Sequence, residues 1–281
     1  MNGKKLKYRK IMKIIFFGTP DYVLPILEKL HKYYEVVAVI TQSPKPVGRE
    51  KILTFSPVDN WAHKKKVSIF FDFNNLPEAD MGICAAFGMI IPKEVLNHFK
   101  YGILNIHPSL LPKYRGASPI QSAIVNGDTT TGVTIIKMDE KMDHGPILTS
   151  FKEEILPDDT FETLRIRLFE RSVDVLLNLI PNFIKSKIHL KPQDENLATF
   201  CKIVSKQDGF INLEKDSPES IEAKQRAYSP WPGIWTNLKN GKRLKILKCH
   251  HLDKDELILD EVQLEGKGPV SWNQFKSAYQ I

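Results

Sequence analysis

Asn105 and His107 are polar residues one position apart, at the end of a short apolar run that starts at Ile103. Because side chains alternate across a β-strand, this spacing projects an amide and an imidazole from the same face. Pro108 lacks a backbone N–H and restricts its neighbour to extended geometry, so we expect the strand to end at His107. Ligands bind at that carboxyl edge in parallel α/β sheets. One alternative stays open, in which both side chains only satisfy loop backbone groups.

A carboxylate that reaches this edge would complete a set suited to acyl transfer. Asp143 lies in a polar turn at 139–143, after a strand pattern at 132–138. If that strand lies near the first, we expect Asp143 within hydrogen-bond reach of His107 at the carboxyl edge. The amide and imidazolium can stabilise an oxyanion, and the carboxylate can orient the imidazole and help remove a proton. No Ser or Cys stands in a nucleophile-elbow setting, so the sequence implies no covalent acyl-enzyme.

A metal site is the second interpretation of the same residues. His107, Asp143 and His144 are all possible ligands, yet the sequence has neither the helical His-x-x-x-His spacing nor paired cysteines. We therefore predict no metal, and we assign His144 no role beyond that of a bystander.

The elements that must position these residues alternate as in a Rossmann-like fold. We predict a mostly parallel sheet with helices on both faces. Strands are expected at 13–18, 35–41, 67–71, 81–87, 103–107, 132–138 and 145–151, and helices at 19–31, 56–66, 92–99, 118–126 and 160–187. Only Gly18 stands where a dinucleotide-binding fold would have three glycines, so we predict no nicotinamide or flavin cofactor.

The rest of the chain predicts a second, smaller domain. A helix at 216–227 precedes short strands at 234–238, 243–249, 257–259 and 262–264, at the spacing of a small β-barrel. The predicted organisation is a disordered basic tail at 1–11, a catalytic domain at 12–188, a linker at 189–204 and a C-terminal domain at 205–281. Met12 is an alternative start to Met1.

Composition narrows the class of protein. The 281 residues are 42% hydrophobic and 26% charged, as is typical of globular proteins. A net charge of +7 favours a polyanionic partner such as nucleic acid. The sequence has no apolar run long enough to span a bilayer and no signal peptide pattern, and its three scattered cysteines suggest neither disulfides nor a zinc site. We therefore expect a cytoplasmic protein without membrane contact.

Several motifs together resemble a known family. Residues 105–112 (NIHPSLLP) and 114–116 (YRG), with Asp143 before Gly145 and Pro146, resemble the formyltransferases that use 10-formyltetrahydrofolate. A narrower resemblance, to the members that act on methionyl-tRNA, extends over nearly everything from Ile11 onward. It rests on 17–21 (FGTPD), 41–42 (TQ), 46–49 (PVGR), 56–58 (SPV), 117–121 (ASPIQ), 205–209 (SKQDG) and 230–233 (PWPG).

The resemblance implies a reaction and a set of site residues. The reaction is formyl transfer from 10-formyltetrahydrofolate to the amino group of initiator methionyl-tRNA, in translation initiation. Its catalytic residues map onto Asn105, His107 and Asp143. The folate site maps onto Ser109, Leu110, Leu111, Pro112, Phe87, Gly88, Met89 and Ile91, with the backbone of 87–91 and 139–143 around the pterin.

The resemblance also implies where tRNA binds. The long loop at 42–57, which carries Lys45, Arg49 and Lys51, would enter the acceptor stem, and the C-terminal domain would be an OB-like barrel that contacts tRNA. That domain is short for the family, with little after Phe275, so its RNA-contacting surface is expected to be reduced. We expect a monomer.

Two other functions stay open. One is formylation of a small amine, such as an amino sugar or glycinamide ribonucleotide, which the Arg49 loop and the PWPG domain disfavour. The other is a catalytically silent RNA-binding protein, which would leave the combination of Asn105, His107 and Asp143 without explanation.

Overall fold

A computed structural model describes residues 12–48, 50–253 and 256–279. The predicted tail at 1–11 and the predicted tRNA-binding residue Arg49 lie outside the described residues. Contacts divide the chain into two compact units. The first comprises the chain up to Arg115, Gly132–Glu153 and Arg165–Phe200, and the second comprises Gly116–Thr131, Glu154–Leu164 and the chain from Cys201 onward. The domain boundaries that we predicted at 188 and 204 stay a prediction.

The first part of the chain builds a seven-stranded sheet. Its elements in chain order are β1 (Lys13–Gly18), α1 (Leu24–Tyr33), β2 (Glu35–Ile40), β3 (Lys45–Val47), β4 (Ile52–Thr54), α2 (Pro57–Lys65), β5 (Ser68–Phe70), β6 (Met81–Ala85), α3 (Lys93–Leu96), β7 (Ile103–His107), β8 (Arg115–Gly116), α4 (Pro119–Val125), β9 (Thr130–Lys137), β10 (Ile147–Glu154), α5 (Phe161–Ile184) and β11 (Phe200–Cys201). The sheet order is β10-β9-β7-β6-β1-β2-β5.

The strands from β7 through β6, β1 and β2 to β5 are parallel, and β9 runs antiparallel to β7. The central strands are buried on both sides, and Ile14, Ile15, Phe16 and Phe17 have no exposed surface. Continuous apolar runs are typical of strands covered on both faces. The prediction of a Rossmann-like, mostly parallel sheet is therefore confirmed.

Only some helix boundaries follow local signals, since α1 begins at Leu24 rather than at residue 19, after a short 3₁₀ helix at Asp21–Val23. The Ser56 hydroxyl accepts a hydrogen bond from Asp59 N (3.0 Å) and begins α2, as N-cap chemistry predicts. The helix predicted at 92–99 is only four residues long, because the chain after Leu96 turns and buries Phe99 against Phe17. The predicted loop at 42–57 is not irregular throughout, since β3 and β4 pair there as a small hairpin.

The carboxyl-terminal part contains α6 (Pro218–Tyr228), β12 (Ile234–Asn237), β13 (Arg243–Asp253), β14 (Glu256–Leu264), β15 (Pro269–Ser271) and α7 (Trp272–Tyr279). The four strands form one antiparallel sheet in chain order. Its core comprises Ile211, Ile221, Ile234, Leu244, Val262 and Phe275. The two short strands predicted at 257–259 and 262–264 are one strand, because Glu261 continues the pairing with β13 and β15.

Candidate active site

Asn105 and His107 lie on one face of β7, and Asp143 comes close to the His107 imidazole at the end of that strand, as expected. Because β9 is antiparallel to β7, the turn after β9 begins near the amino end of β7, where Met138 N donates to Ile103 O (2.8 Å). The turn then brings Asp143 over the face that Asn105 and His107 share. The site thus lies between the 138–146 turn and the 108–114 loop.

The three polar side chains meet at one carboxylate oxygen. Asn105 Nδ2 donates to Asp143 Oδ1 (3.1 Å), and His107 Nδ1 lies 3.5 Å from the same oxygen. The imidazole is 4% exposed and the carboxylate 13%, so water competes little with these contacts. The sequence prediction that these residues converge therefore agrees with the geometry. Their catalytic roles stay a prediction.

The two nitrogens of His107 have different partners. Nε2 lies 2.9 Å from the backbone oxygen of Tyr114. A carbonyl oxygen only accepts hydrogen bonds, so Nε2 must carry a hydrogen and donate. The 108–114 loop thus fixes the orientation of the ring, and Nδ1 is the nitrogen that faces Asp143. The expectation that Asp143 also orients the imidazole stays a prediction.

Cys84 lies beneath the site, on the strand next to Asn105. Burial, and to a smaller extent the nearby Asp143 carboxylate, raise the pKa of the Cys84 thiol to about 12. The thiol is therefore protonated at neutral pH and contributes an apolar wall rather than a nucleophile.

The predicted folate residues fall into two groups. Ser109 is fully buried, and its hydroxyl donates to Lys113 O (2.6 Å) while its carbonyl accepts from Thr134 Oγ1 (2.7 Å). Buried with it are Leu111, Phe87 and Ile91, and the partly or fully exposed members are Leu110, Pro112, Gly88 and Met89. The exposed group lies on loops from adjacent strands and offers an apolar surface to a ligand, whereas the buried group holds those loops in shape.

Two predicted tRNA-binding residues lie on the β3–β4 hairpin. Lys45 and Lys51 are exposed, and Lys45 Nζ donates to Gln42 Oε1 (2.9 Å). The hairpin also exposes two apolar side chains, since Ile52 is 61% and Leu53 is 57% accessible. A basic and apolar hairpin is suited to contact a nucleic acid.

Gln193 and His144, which no sequence motif marks, hold the 138–146 turn. Gln193 Nε2 donates to Asp143 O and to Gly145 O, both at 2.8 Å. His144 Nδ1 lies 2.6 Å from Asp139 Oδ2, and its Nε2 lies 3.5 Å from Glu195 Oε1. Residues 189–204 lack periodicity, so no local signal marks Gln193, and His144 now has a structural role.

Two other findings concern metals and membranes. Within the ranges 12–48, 50–253 and 256–279, no three His, Cys, Asp or Glu side chains are grouped so that they could hold a metal ion. None of the helices in these same ranges is both long and apolar enough to cross a membrane.

Comparison with known proteins identifies the class. The formyl transferase family matches residues 12–180, and the C-terminal domain of formyl transferases matches residues 203–257. The chain therefore belongs to the formyl transferase family and is a one-carbon transferase.

Individual relatives narrow the assignment. A methionyl-tRNA formyltransferase of Dictyoglomus thermophilum is 35% identical, over 96% of this chain and 98% of its own length. Within the family, the chain thus belongs to the methionyl-tRNA formyltransferases.

Solved structures agree with the fold. Methionyl-tRNA formyltransferase from Clostridium thermocellum has a TM-score of 0.60 at 18% identity, with 92% of this chain and 100% of that one covered. An N-formyltransferase from Helicobacter canadensis, in complex with folinic acid and dTDP-3-aminofucose, has a TM-score of 0.69 at 18% identity, with 93% and 99% covered.

Proposed function

We propose that the chain formylates the amino group of initiator methionyl-tRNA with 10-formyltetrahydrofolate, and that Asn105, His107 and Asp143 carry the reaction. The observation that supports these roles is the convergence of Asn105 Nδ2 and His107 Nδ1 on Asp143 Oδ1, on one buried strand face. The relatives identified by sequence support the choice of acceptor.

Each side chain has a distinct task in this mechanism. The α-amine of an aminoacyl ester titrates near neutrality, so much of it is nucleophilic at cellular pH. As the amine attacks, the Asn105 amide and the Nδ1–H of a doubly protonated His107 stabilise the charge that develops on the formyl oxygen. Asp143 accepts the proton that the new C–N bond releases from the amine. Asp143 then passes this proton to the donor nitrogen as the old C–N bond breaks, which restores the carboxylate.

The residues around the site suit a formyl-folate. The donor supplies an activated formyl group when bound. Leu110, Pro112 and Met89 present apolar surface for its planar ring, and the exposed Gly88 offers backbone groups without a side chain. The Helicobacter canadensis protein, whose structure contains folinic acid, has a similar fold. We propose no metal for this reaction.

The remaining parts of the proposal concern the tRNA and the protein as a whole. Lys45, Lys51 and Arg49 contact the acceptor stem, and the residues from 205 onward contact the tRNA through a domain separate from the catalytic one at 12–188. The protein acts as a monomer in the cytoplasm, where translation initiates.

A substrate assay tests the choice of acceptor. Purified protein receives 10-formyltetrahydrofolate with initiator methionyl-tRNA, with a dTDP-amino sugar, or with glycinamide ribonucleotide, and formylated product is measured. We expect turnover with the charged tRNA alone. Turnover with a small amine alone would favour the alternative enzyme, and tRNA binding without formylation at any pH would favour a silent RNA-binding protein.

A further inference from the structure

The two backbone segments that contact His107 share an unusual conformation. Tyr114, whose carbonyl binds the imidazole, has φ +58, and Asp143 has φ +50. Residues other than glycine seldom adopt positive φ, and they keep it only where surrounding contacts hold it. Whatever holds these two residues therefore also sets the geometry around His107.

One segment, residues 191–199, binds to both places. Lys191 exchanges two backbone hydrogen bonds with Ile147 (2.8 and 3.0 Å) beside the Asp143 turn. At its other end, Thr199 Oγ1 accepts from Tyr114 N (2.8 Å), and Thr199 N donates to Pro112 O (3.2 Å). The segment thus spans the loop that orients the imidazole and the turn that carries the carboxylate.

Gln193 is the side chain of this segment that links the Asp143 turn to Arg115, the residue after Tyr114. Its Nε2 donates to Asp143 O and Gly145 O (both 2.8 Å), and its Oε1 accepts from Arg115 Nε (3.0 Å) and Nη2 (2.8 Å). Only one amide orientation fits, because a flipped amide would place its NH₂ against a guanidinium and its oxygen against two carbonyls.

Arg115 anchors the amide firmly. It is 2% exposed and binds Glu195 through two further hydrogen bonds, from Nη1 (2.9 Å) and Nη2 (2.7 Å). A planar guanidinium in such a network has little freedom to move. The Gln193 amide is therefore fixed by Arg115 through its oxygen while its nitrogen donates to the backbone of Asp143.

We propose that Gln193 is a positioning residue for formyl transfer, which holds the Asp143 turn so that the carboxylate meets Asn105 and His107. The inference rests on the proposed role of Asp143. Misplacement of a catalytic group by about 1 Å can cost about 100-fold in rate. Loss of the Gln193 contacts therefore acts on the chemical step and, through the 139–143 backbone beside the predicted pterin site, on folate binding, but not on the binding of tRNA.

The variant Gln193→Glu tests this selectively. A carboxylate still accepts from Arg115, so the anchor is kept, but it cannot donate to the two carbonyls. We expect kcat to fall about 10- to 100-fold, with the KM of methionyl-tRNA changed less than about threefold. Asn178→Asp is the matched control, because it makes the same amide-to-carboxylate change at an exposed position on α5.

A double-mutant cycle separates positioning from general damage. The rate of single turnover is measured with excess enzyme in an Asp143→Asn background. There, Gln193→Glu should lower this rate by less than about a further threefold, because its effect passes through Asp143. If Gln193→Glu does not fold, the uncharged Gln193→Met takes its place in the cycle. A wild-type kcat in the folded variant, or the same loss in both backgrounds, overturns the inference. Wild-type turnover of Asp143→Asn alone would instead overturn the proposed function.

Discussion

His107 is held between a backbone carbonyl and a carboxylate, and the two contacts make its nitrogens unequal. The Nε2–H is committed to Tyr114 O at 2.9 Å, whereas Nδ1 faces Asp143 Oδ1 at 3.5 Å. When the imidazole is doubly protonated, the longer contact leaves the Nδ1–H able to donate to a substrate oxygen as well. We infer that Nδ1 contacts the reacting formyl oxygen and that Nε2 keeps the ring in place.

Two amide substitutions distinguish these roles. The NH₂ group that His107→Asn introduces would lie near the position of Nδ1, and the one that His107→Gln introduces would lie near Nε2. Loss of an oxyanion donor typically costs about 10²- to 10³-fold, so both variants should lose turnover. We expect His107→Asn to keep at least about tenfold more kcat than His107→Gln. The reverse order, in steady-state formylation with both variants folded by circular dichroism, would assign the contact with the formyl oxygen to Nε2.

At the scale of elements, the turn at 138–146 depends on close backbone packing at Gly145. A Cβ at this position would overlap the backbone oxygen of Lys137, which is the last residue of β9. Such an approach excludes any side chain unless the turn moves. The turn that carries Asp143 is thus fixed against β9 on one side and by Gln193 on the other.

Gly145→Ala should therefore damage both stability and rate. We expect a loss of about 1–3 kcal/mol in the free energy of unfolding, as for other overpacked sites, together with a lower kcat as Asp143 shifts. Gly268→Ala is the control for stability, because a Cβ there meets no atom within 4 Å. Denaturant unfolding of both variants checks the expectation, and equal stability of the two would contradict it.

The sequence predicts elements well where the signal is local. β1 and β7 match their expected bounds because apolar runs end at Gly18 and Pro108, and Ser56 correctly marks the start of α2. The direction of β9 could not be predicted, because strand pairing is a tertiary property, whereas the closeness of Asp143 to His107 was expected. Gln193 was missed for the same reason, since its partners lie about 50 and 78 residues away in sequence.

At the scale of the whole molecule, charge and an exposed hairpin favour binding to RNA. The net charge is +7, and the β3–β4 hairpin presents Lys45 and Lys51 beside exposed Ile52 and Leu53. Each lysine that neutralises a phosphate releases a counterion on binding, so affinity falls as salt rises. The binding of 10-formyltetrahydrofolate involves no such polyanion.

Salt should therefore weaken the binding of tRNA strongly and the binding of 10-formyltetrahydrofolate little. We expect kcat/KM for methionyl-tRNA to fall steeply between about 50 and 200 mM salt, with the KM for 10-formyltetrahydrofolate nearly constant. Replacing Lys45 and Lys51 with Ala should lower the log–log salt slope by about 0.7–0.9 for each phosphate that is no longer neutralised. Alanine at the exposed Lys29 and Lys64 removes the same charge elsewhere, and an equal change of slope there would show a general charge effect.

The hydrogen bonds of residues 191–199 bear on where the chain can be shortened. A fragment that ends at Ile184, with α5, contains every strand of the seven-stranded sheet and all of Asn105, His107 and Asp143. It would nevertheless lack the partners of Tyr114 N, Asp143 O and the Arg115 guanidinium. A fragment that keeps these contacts must therefore extend at least to Thr199.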